Sequence, residues 1–364
     1  MKKGVKKGKV FVGLSGGVDS SVSAGLLKRA GFDVTGVFIK VWQPDWIECN
    51  WKEERLEAIR AAAHLDIPFV TLDLVNEYKK DVIDYMVKEY SVGRTPNPDV
   101  MCNRYVKFGA FSKWALEQGA DFVATGHYAQ VLQSGDANSN YSLLAGTDKN
   151  KDQSYFLWTL NQKDLQHILF PVGHLTKPEV RKLALKFKLP NAEKKDSQGL
   201  CFIGKVDVKE FLSHYIKSTS GNVLNEKGEI IGNHPGALLF TKGERRGFTL
   251  TVKTPHDAPY FIIDKDAEQN TITVSNKDES GILPSTDKQI RIGSMNWVSG
   301  EMPEIGRPLQ VRGRYRQPLQ NAKIISANIS EAVIEFERPQ DSLSSGQSLV
   351  IYDGEKCLGG GVII

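Results

Sequence analysis

The first 126 residues switch repeatedly between two periods. Val10–Leu14, Val34–Ile39, Phe69–Leu74 and Phe122–Thr125 are short β-branched and aromatic runs of the kind that form buried strands. Between them, Val22–Ala30 (stopped by Gly31), Glu53–Leu65, Glu77–Tyr90 and Tyr105–Gln118 read as helices. Strand and helix in alternation predict βαβ units, hence a parallel sheet with helices on both faces and ligands beyond the carboxyl ends of its strands. Ala129–Leu132 and Tyr141–Leu144, joined by the polar Ser134–Asn140, read as a hairpin, and Lys151–Tyr155 opens a helical section running to about Leu189. From Gly221 the helical period stops. Gly228–Ile231, Ala258–Ile263, Thr271–Val274, Ile290–Met295, Leu309–Tyr315, Ala332–Phe336, Ser348–Tyr352 and Gly359–Ile363 follow as short alternating runs, punctuated by Gly, Pro, Asn and Asp. The expected class is α/β plus all-β: a parallel-sheet domain over 1–215, a small β-rich central domain over 216–280 and a C-terminal β-barrel over 281–364, with Glu279–Pro284 at the second seam.

Composition narrows the setting more than the chemistry. No apolar run approaches a membrane span, and the N-terminus lacks a signal peptide's apolar stretch, so a cytoplasmic protein with no membrane partner is expected. The four cysteines, Cys49, Cys102, Cys201 and Cys357, show no C-x-x-C spacing, which argues against a zinc site or a secreted disulfide framework. A net charge of +4 says little about nucleic acid, but local clusters say more. Lys177, Arg181, Lys182, Lys186, Lys188, Lys194 and Lys195 crowd one segment, and Lys242, Arg245 and Arg246 share a Gly-containing loop. Arg312, Arg314 and Arg316 alternate in a strand-like run, which would put all three on one face. Solvated faces and phosphate-backbone contacts both remain open for these patches.

The most informative stretch is Gly13-Leu14-Ser15-Gly16-Gly17-Val18-Asp19-Ser20-Ser21, between the first strand and the first helix. Gly16 and Gly17 let the backbone pass close to an anion, and the N–H groups and dipole of the helix start face it. A Walker A loop would carry a lysine here; this loop has none, and Asp19 takes the place. The residues Ser15 to Ser20 resemble the pyrophosphate loop of the ATP pyrophosphatases, which split ATP to AMP and pyrophosphate. That likeness implies ATP as substrate and Mg²⁺ near Asp19, an oxygen ligand suited to that ion.

Two further stretches hold a cysteine among polar and turn-forming residues. In Thr95-Pro96-Asn97-Pro98-Asp99-Val100-Met101-Cys102-Asn103, Asp99 stands three residues before Cys102, so on a helical start both face one way. A carboxylate disfavours a neighbouring thiolate, so the pair suits a division of labour: Asp99 for a proton, Cys102 for sulfur. In Asp196-Ser197-Gln198-Gly199-Leu200-Cys201-Phe202-Ile203-Gly204 the thiol follows a basic run that favours thiolate. Cys49 and Cys357 have no such setting and are expected to pack. His127, in Thr125-Gly126-His127-Tyr128, fits a substrate contact and a structural histidine equally.

Taken in order, the pyrophosphate loop, Asn97-Pro98-Asp99 with Cys102, Ala124 to Tyr128, Lys151-Asp152-Gln153-Ser154-Tyr155, Asp196-Ser197 through Gly204, Arg314-Tyr315-Arg316-Gln317 and Gly346-Gln347 resemble the tRNA-specific 2-thiouridylases of bacteria and mitochondria, from about Gly8 to the end. The resemblance implies a Rossmann-like, adenine nucleotide alpha hydrolase-like first domain. It implies ATP binding by Gly13, Leu14, Ser15, Gly16, Gly17, Val18, Asp19, Ser20, Ile39 and Gly126, and contact with the target base by Asn97, Pro98 and Asp99. Cys102 would be the nucleophile and Cys201 the persulfide carrier, with Asp99 as acid and base. His127, Lys151, Asp152, Gln153, Arg314, Tyr315 and Gln347 would contact tRNA. Ile39 stands where the family often has Met, and Val41 where it usually has Asn. The implied activity is ATP-dependent 2-thiolation of the wobble uridine in a tRNA anticodon arm. A sulfur-donor protein, such as a cysteine desulfurase or a relay protein, would load the persulfide. The rivals are an amidating ligase with the same loop, a tRNA-binding protein that keeps ATP as a structural ligand and, more remotely, a methyltransferase.

Overall fold

The computed structural model describes residues 7–46, 51–134, 140–195, 207–251, 258–276, 288–340 and 343–364. Four predicted strands form within a residue or so of their expected bounds: β1 (Lys9–Gly13), β2 (Asp33–Lys40), β3 (Phe69–Asp73) and β4 (Phe122–Ala124). They lie in the order β3-β2-β1-β4, followed by Ile168–Leu169, and every pairing is parallel. Both faces are covered. Val10 and Val12 pack with Ala24, Val34, Phe38 and Ala58 on one side, while Phe11, Val37 and Ile39 join Val106 and Phe111 on the other.

The helix expected from Tyr105 begins earlier, at Pro98, whose missing N–H costs nothing in a first turn. Its middle, Cys102–Phe111, is π-helical. Gly109 permits the wide turn, since a Cβ there would stand 2.8 Å from the carbonyl oxygen of Arg104, five residues back. The helical section expected from Lys151 to Leu189 breaks into the short turns Ser154–Phe156 and Gln162–Leu165, the edge strand Ile168–Leu169 and the helix Lys177–Lys186. Pro171 and Gly173 interrupt the period, and a two-residue strand leaves none to read.

The central sheet has the strand order Thr249–Leu250, Ile230–His234, Gly221–Leu224, Thr271–Ser275, Phe261–Asp266. At the C-terminus, Gln289–Trp297, Glu331–Phe336, Gln320–Ala327, Pro308–Arg312, Ser348–Asp353 and Lys356–Ile363 run antiparallel in that order. Gln289–Trp297 then pairs Lys356–Ile363 and closes the barrel around Ile292, Val311, Ile324, Ile334, Leu349 and Ile351. The predicted hairpin forms as Ala129–Gln133 and Tyr141–Ala145, but it does not stay with the first sheet. Leu143 and Leu144 pair with Cys357 and Lys356, so the hairpin extends the terminal barrel's sheet.

The expectation for Arg312, Arg314 and Arg316 is corrected. The strand ends at Arg312, residues 313–316 bend, and Arg316 has φ 64°, so the three do not share a strand face. Among the described residues no helix is long and apolar enough to cross a membrane.

Candidate active site

β1 delivers the chain to the glycine loop, and α1 (Val18–Arg29) leaves it. Gly17 caps α1 in an extended conformation, with no side-chain hydrogen bond to the first turn, so the helix start presents its N–H groups to an incoming anion. Two close approaches fix the loop. Gly16 has φ +74°, and a Cβ on it would lie 2.5 Å from the Glu54 carbonyl oxygen. Gly126, just past β4, leaves room for only 2.7 Å between a Cβ and the Ser20 nitrogen. The hydroxyls of Ser20 and Ser21 donate to the Gly17 carbonyl at 3.2 and 2.9 Å, so they brace the turn. The side chains of Leu14 and Val18 are buried beneath the loop. Ile39 and Val41, at the end of β2 and beyond it, are buried in the apolar cluster that also contains Cys102.

Asp19 is held from two directions. Tyr128 Oη donates to its Oδ1 at 2.9 Å, and Lys177 Nζ lies 2.7 Å from the same oxygen. The lysine missing from the loop thus arrives from 158 residues further along the chain. Asn191 Nδ2 donates to the Gly16 carbonyl and the Ser21 hydroxyl, each at 3.0 Å, and Lys194 Nζ is 3.3 Å from that carbonyl. Arg181 Nη1 donates to the carbonyls of Ala192 and Lys194, which shapes the turn carrying both. The sequence marks this basic run as a solvated face or a phosphate-backbone contact, not as part of the loop site; the Thr176–Glu179 capping box with Pro178, which starts the helix at Lys177, is the available signal. Burial raises the Glu54 carboxyl beside the loop, and nearby Lys194 opposes the shift.

The thiol side is built on the helix 98–117. Cys102 is fully buried at the start of the π-helical stretch, with the partly exposed Asp99 in the first turn before it. Six residues on, Phe108 meets His127 with ring centroids 5.8 Å apart, which ties this helix to the segment after β4. His127 is buried, its Nδ1 2.7 Å from Thr125 Oγ1, and burial pushes its pKa well below the ordinary value, leaving a neutral ring at pH 7. It lines the wall between Gly126 and the Cys102 helix rather than the surface. Cys357 is buried beneath the hairpin pairing, and burial pushes its thiol up to about 12, as suits packing. Cys201, with all of 196–206, lies outside the described residues, as do Cys49 and Glu279–Pro284.

The remaining expected residues meet where the three β-rich and α/β parts converge. Asn97 Oδ1 accepts from the Ser348 backbone N–H at 2.6 Å and from Tyr155 Oη at 3.4 Å. Tyr155 Oη is also 3.0 Å from the Ser348 carbonyl and 3.1 Å from that of Gly313. Arg314 Nη2 donates to the Lys242 carbonyl at 2.8 Å, and the Tyr315 ring stands 4.7 Å from that of Phe156, whose carbonyl accepts from Asn103 Nδ2. Gln347 follows Gly346, where a Cβ would lie 2.9 Å from the Thr95 backbone, and among the described residues its buried Oε1 has no hydrogen-bond partner. Asp152 is buried, accepts from the Gly146 and Ser154 N–H groups, and pairs with Arg312 at 3.1 Å. Gln153 Oε1 accepts from the Tyr128 N–H at 3.0 Å, and Lys151 is partly exposed beside them. The structure therefore brings Asn97, Arg314 and Tyr315 into one seam, where much of their polar capacity joins the domains, while Asp99 stands on the Cys102 helix and His127 is buried against that helix.

Family models described as the tRNA methyl transferase HUP domain, the tRNA methyl transferase PRC-barrel domain and the aminomethyltransferase beta-barrel domain match residues 8–205, 209–276 and 287–363. A tRNA-specific 2-thiouridylase MnmA of Nitrosomonas europaea is 42% identical over 364 residues, covering 99% of both chains. The chain belongs to the tRNA-specific 2-thiouridylase family. A second member, the MnmA of Streptococcus mutans, is 42% identical over 98% of this chain and 95% of its own. Among solved structures, the U34-tRNA thiolase NcsA of Methanococcus maripaludis overlaps 54% of this chain and 61% of its own at 18% identity and a TM-score of 0.36, a likeness too partial to carry an argument. Membership supports the α/β first domain and the two β domains of this thiouridylase-family chain.

Proposed function

We propose that this enzyme uses ATP to 2-thiolate the wobble uridine of tRNA, through adenylation of the uridine C2 oxygen and sulfur transfer from a cysteine persulfide. The observation that carries the reading is the union of an uncapped pyrophosphate loop with the Asp99–Cys102 helix, joined through Gly126, His127 and Phe108. The loop N–H groups take the phosphates of ATP, and Ile39 with Gly126 borders the adenine. A uridine flipped from the anticodon arm enters beside Asn97, Pro98 and Asp99. Its C2 oxygen attacks the α-phosphorus, and pyrophosphate leaves. Asp99 moves the proton at the base. The Cys102 thiolate then attacks the inner sulfur of a Cys201 persulfide, forming a Cys102–Cys201 disulfide and releasing hydrosulfide. Hydrosulfide displaces AMP from C2, and an external dithiol reopens the disulfide.

A lone carboxylate suits Mg²⁺, which takes most of its ligands from substrate phosphates and water. Both contacts on Asp19 converge on Oδ1, so the residue fits that role through its other oxygen. When bound, the ion would neutralise charge on the departing pyrophosphate. A sulfurtransferase that carries persulfide loads Cys201, and Lys151, Arg314, Tyr315 and Gln347 lie against the tRNA.

The word methyl in the family description marks a second reading. The pyrophosphate loop and a buried thiol beside a proton-transfer carboxylate favour thiolation over it. The test is one reaction containing ATP, a persulfide donor and unmodified tRNA, read by nucleoside mass analysis. 2-Thiouridine with stoichiometric AMP supports the reading. Cys201→Ser should keep tRNA-dependent pyrophosphate release and lose thiouridine; unchanged thiouridine in that variant overturns the persulfide role.

A further inference from the structure

We propose that Asn191 is a positioning residue for phosphate binding: its side-chain amide locks the two peptide groups whose N–H donors face the phosphates of ATP. The inference rests on reading the glycine loop as the ATP site and adds a residue from outside the loop motif.

A trans peptide points its C=O and N–H in opposite directions, so a carbonyl held on one side of a loop fixes the next N–H on the other. Asn191 Nδ2 donates to the Gly16 carbonyl at 3.0 Å, which sets the N–H of Gly17. The same nitrogen donates to Ser21 Oγ at 3.0 Å, and that hydroxyl donates to the Gly17 carbonyl at 2.9 Å, which sets the N–H of Val18. One amide thus orients two consecutive donors at the start of α1, where a first-turn N–H has no acceptor within the helix. The Gly17 N–H makes a long 3.4 Å contact with Ser15 Oγ, which a charged phosphate oxygen can replace.

Asn191 is itself firmly placed. It is only 2% exposed, and Arg181 Nη1 holds the carbonyls of Ala192 and Lys194 just after it. Its Oδ1 is buried and, among the described residues, has no hydrogen-bond partner. An unpaired buried acceptor costs stability, so the donor side of the amide sets its orientation; turned over, it would put Oδ1 against the Gly16 carbonyl. Lys194 Nζ reaches that carbonyl at 3.3 Å, and the amide adds the link through Ser21 to the next peptide. Glycine peptides are free to rotate, and donors fixed before the ligand arrives bind it without paying to order the loop.

The test uses the full-length enzyme with unmodified tRNA, following tRNA-dependent pyrophosphate release in wild type, Asn191→Ala, Asn191→Asp and Ser21→Ala, each variant compared with wild type at the same pH. Asn191→Ala should raise KM for ATP and weaken inhibition by inorganic pyrophosphate about tenfold, with KM for tRNA and inhibition by adenosine retained. Adenosine carries no phosphate, so its retention also reports a folded site. Asn191→Asp keeps the shape and should be worse than Asn191→Ala at pH 8, about 30-fold, because a carboxylate opposes the Gly16 carbonyl. Burial raises that carboxyl's pKa, and at pH 6 its O–H can donate, so Asn191→Asp should then approach wild type. Ser21→Ala breaks the relay alone and should cost about threefold, less than additively with Asn191→Ala. Wild-type KM for ATP and pyrophosphate inhibition in both Asn191 variants would overturn the proposal and leave the loop's role standing. Equal loss of adenosine and pyrophosphate inhibition, with no recovery of Asn191→Asp at pH 6, would make the residue a packing element and also overturn it. A wild-type enzyme that neither releases pyrophosphate nor is inhibited by it would remove the ATP reading together with the proposal.

Discussion

The glycine loop and the interdomain seam hold their functional residues in opposite ways. The loop is contiguous and presents backbone N–H groups at the start of α1, with the side chains of Ser20 and Ser21 turned inward to brace it. The seam is assembled from residues as far apart as Asn97 and Ser348, 251 positions, and its side chains bind other parts of the chain. The difference teaches that a binding function written into backbone geometry tolerates little change locally but depends little on distant domains. A function written into side chains across a seam needs every domain in place.

The largest expected effect lies on the helix that joins the two regions. Cys102→Ser should abolish 2-thiouridine formation while tRNA-dependent pyrophosphate release continues, since the loop is untouched; residual thiolation in the mass analysis would break the proposed division of labour. Next comes Asp152→Ala, which leaves Arg312 buried and uncompensated. Breaking such a pair costs about 3–5 kcal/mol, measurable by urea denaturation.

Gly16→Ala strikes the loop alone. It forces a Cβ into a positive-φ position 2.5 Å from the Glu54 carbonyl, at a cost of about 1–3 kcal/mol. Pyrophosphate release should fall at least about tenfold with tRNA affinity intact; equal losses of both would erase the contrast. Tyr155→Phe should do the reverse, costing about 1–3 kcal/mol and raising the KM for tRNA while ATP handling holds.

The smallest effect concerns Lys265, which donates to the Phe240 carbonyl at 2.7 Å and is held by burial at about 8 against an ordinary 10.5. Below about 8 both folded and unfolded chains are protonated here, and the burial penalty is full. Between about 8 and 10.5 the unfolded chain binds the proton that the folded one has shed, so stability rises with pH in that window. Lys265→Met should flatten this slope in pH-dependent thermal melts.

Much of the architecture was legible because its periods are strong. The four parallel strands and the closing barrel strands came from alternating or continuous apolar runs, and the loop from its glycines in a strand–turn–helix context. Other features left no local trace. Ile168–Leu169 is too short for a period, the π-helical turn at Cys102–Phe111 reads as ordinary helix, and the strand through Arg312 stops at a bend that alternation alone does not show. Lys177 and Asn191 were invisible as site residues because their partners lie far off in the chain, and a basic run looks the same whether it faces water or a phosphate loop. Asn97 reads as a base contact, yet its carbonyl oxygen meets a backbone N–H of the last domain, a pairing that no spacing announces.

The hairpin borrowed by the barrel has a consequence for how the molecule is made. During synthesis from the N-terminus, Tyr141–Ala145 can pair early with Ala129–Gln133, but its other edge must wait open until Lys356–Ile363 emerges to pair with it. A nascent chain paused anywhere before that point exposes a ready template for mispairing, and a chain truncated by its last strand would carry the same hazard permanently. Emergence of Lys356–Ile363 is thus the step that closes this edge.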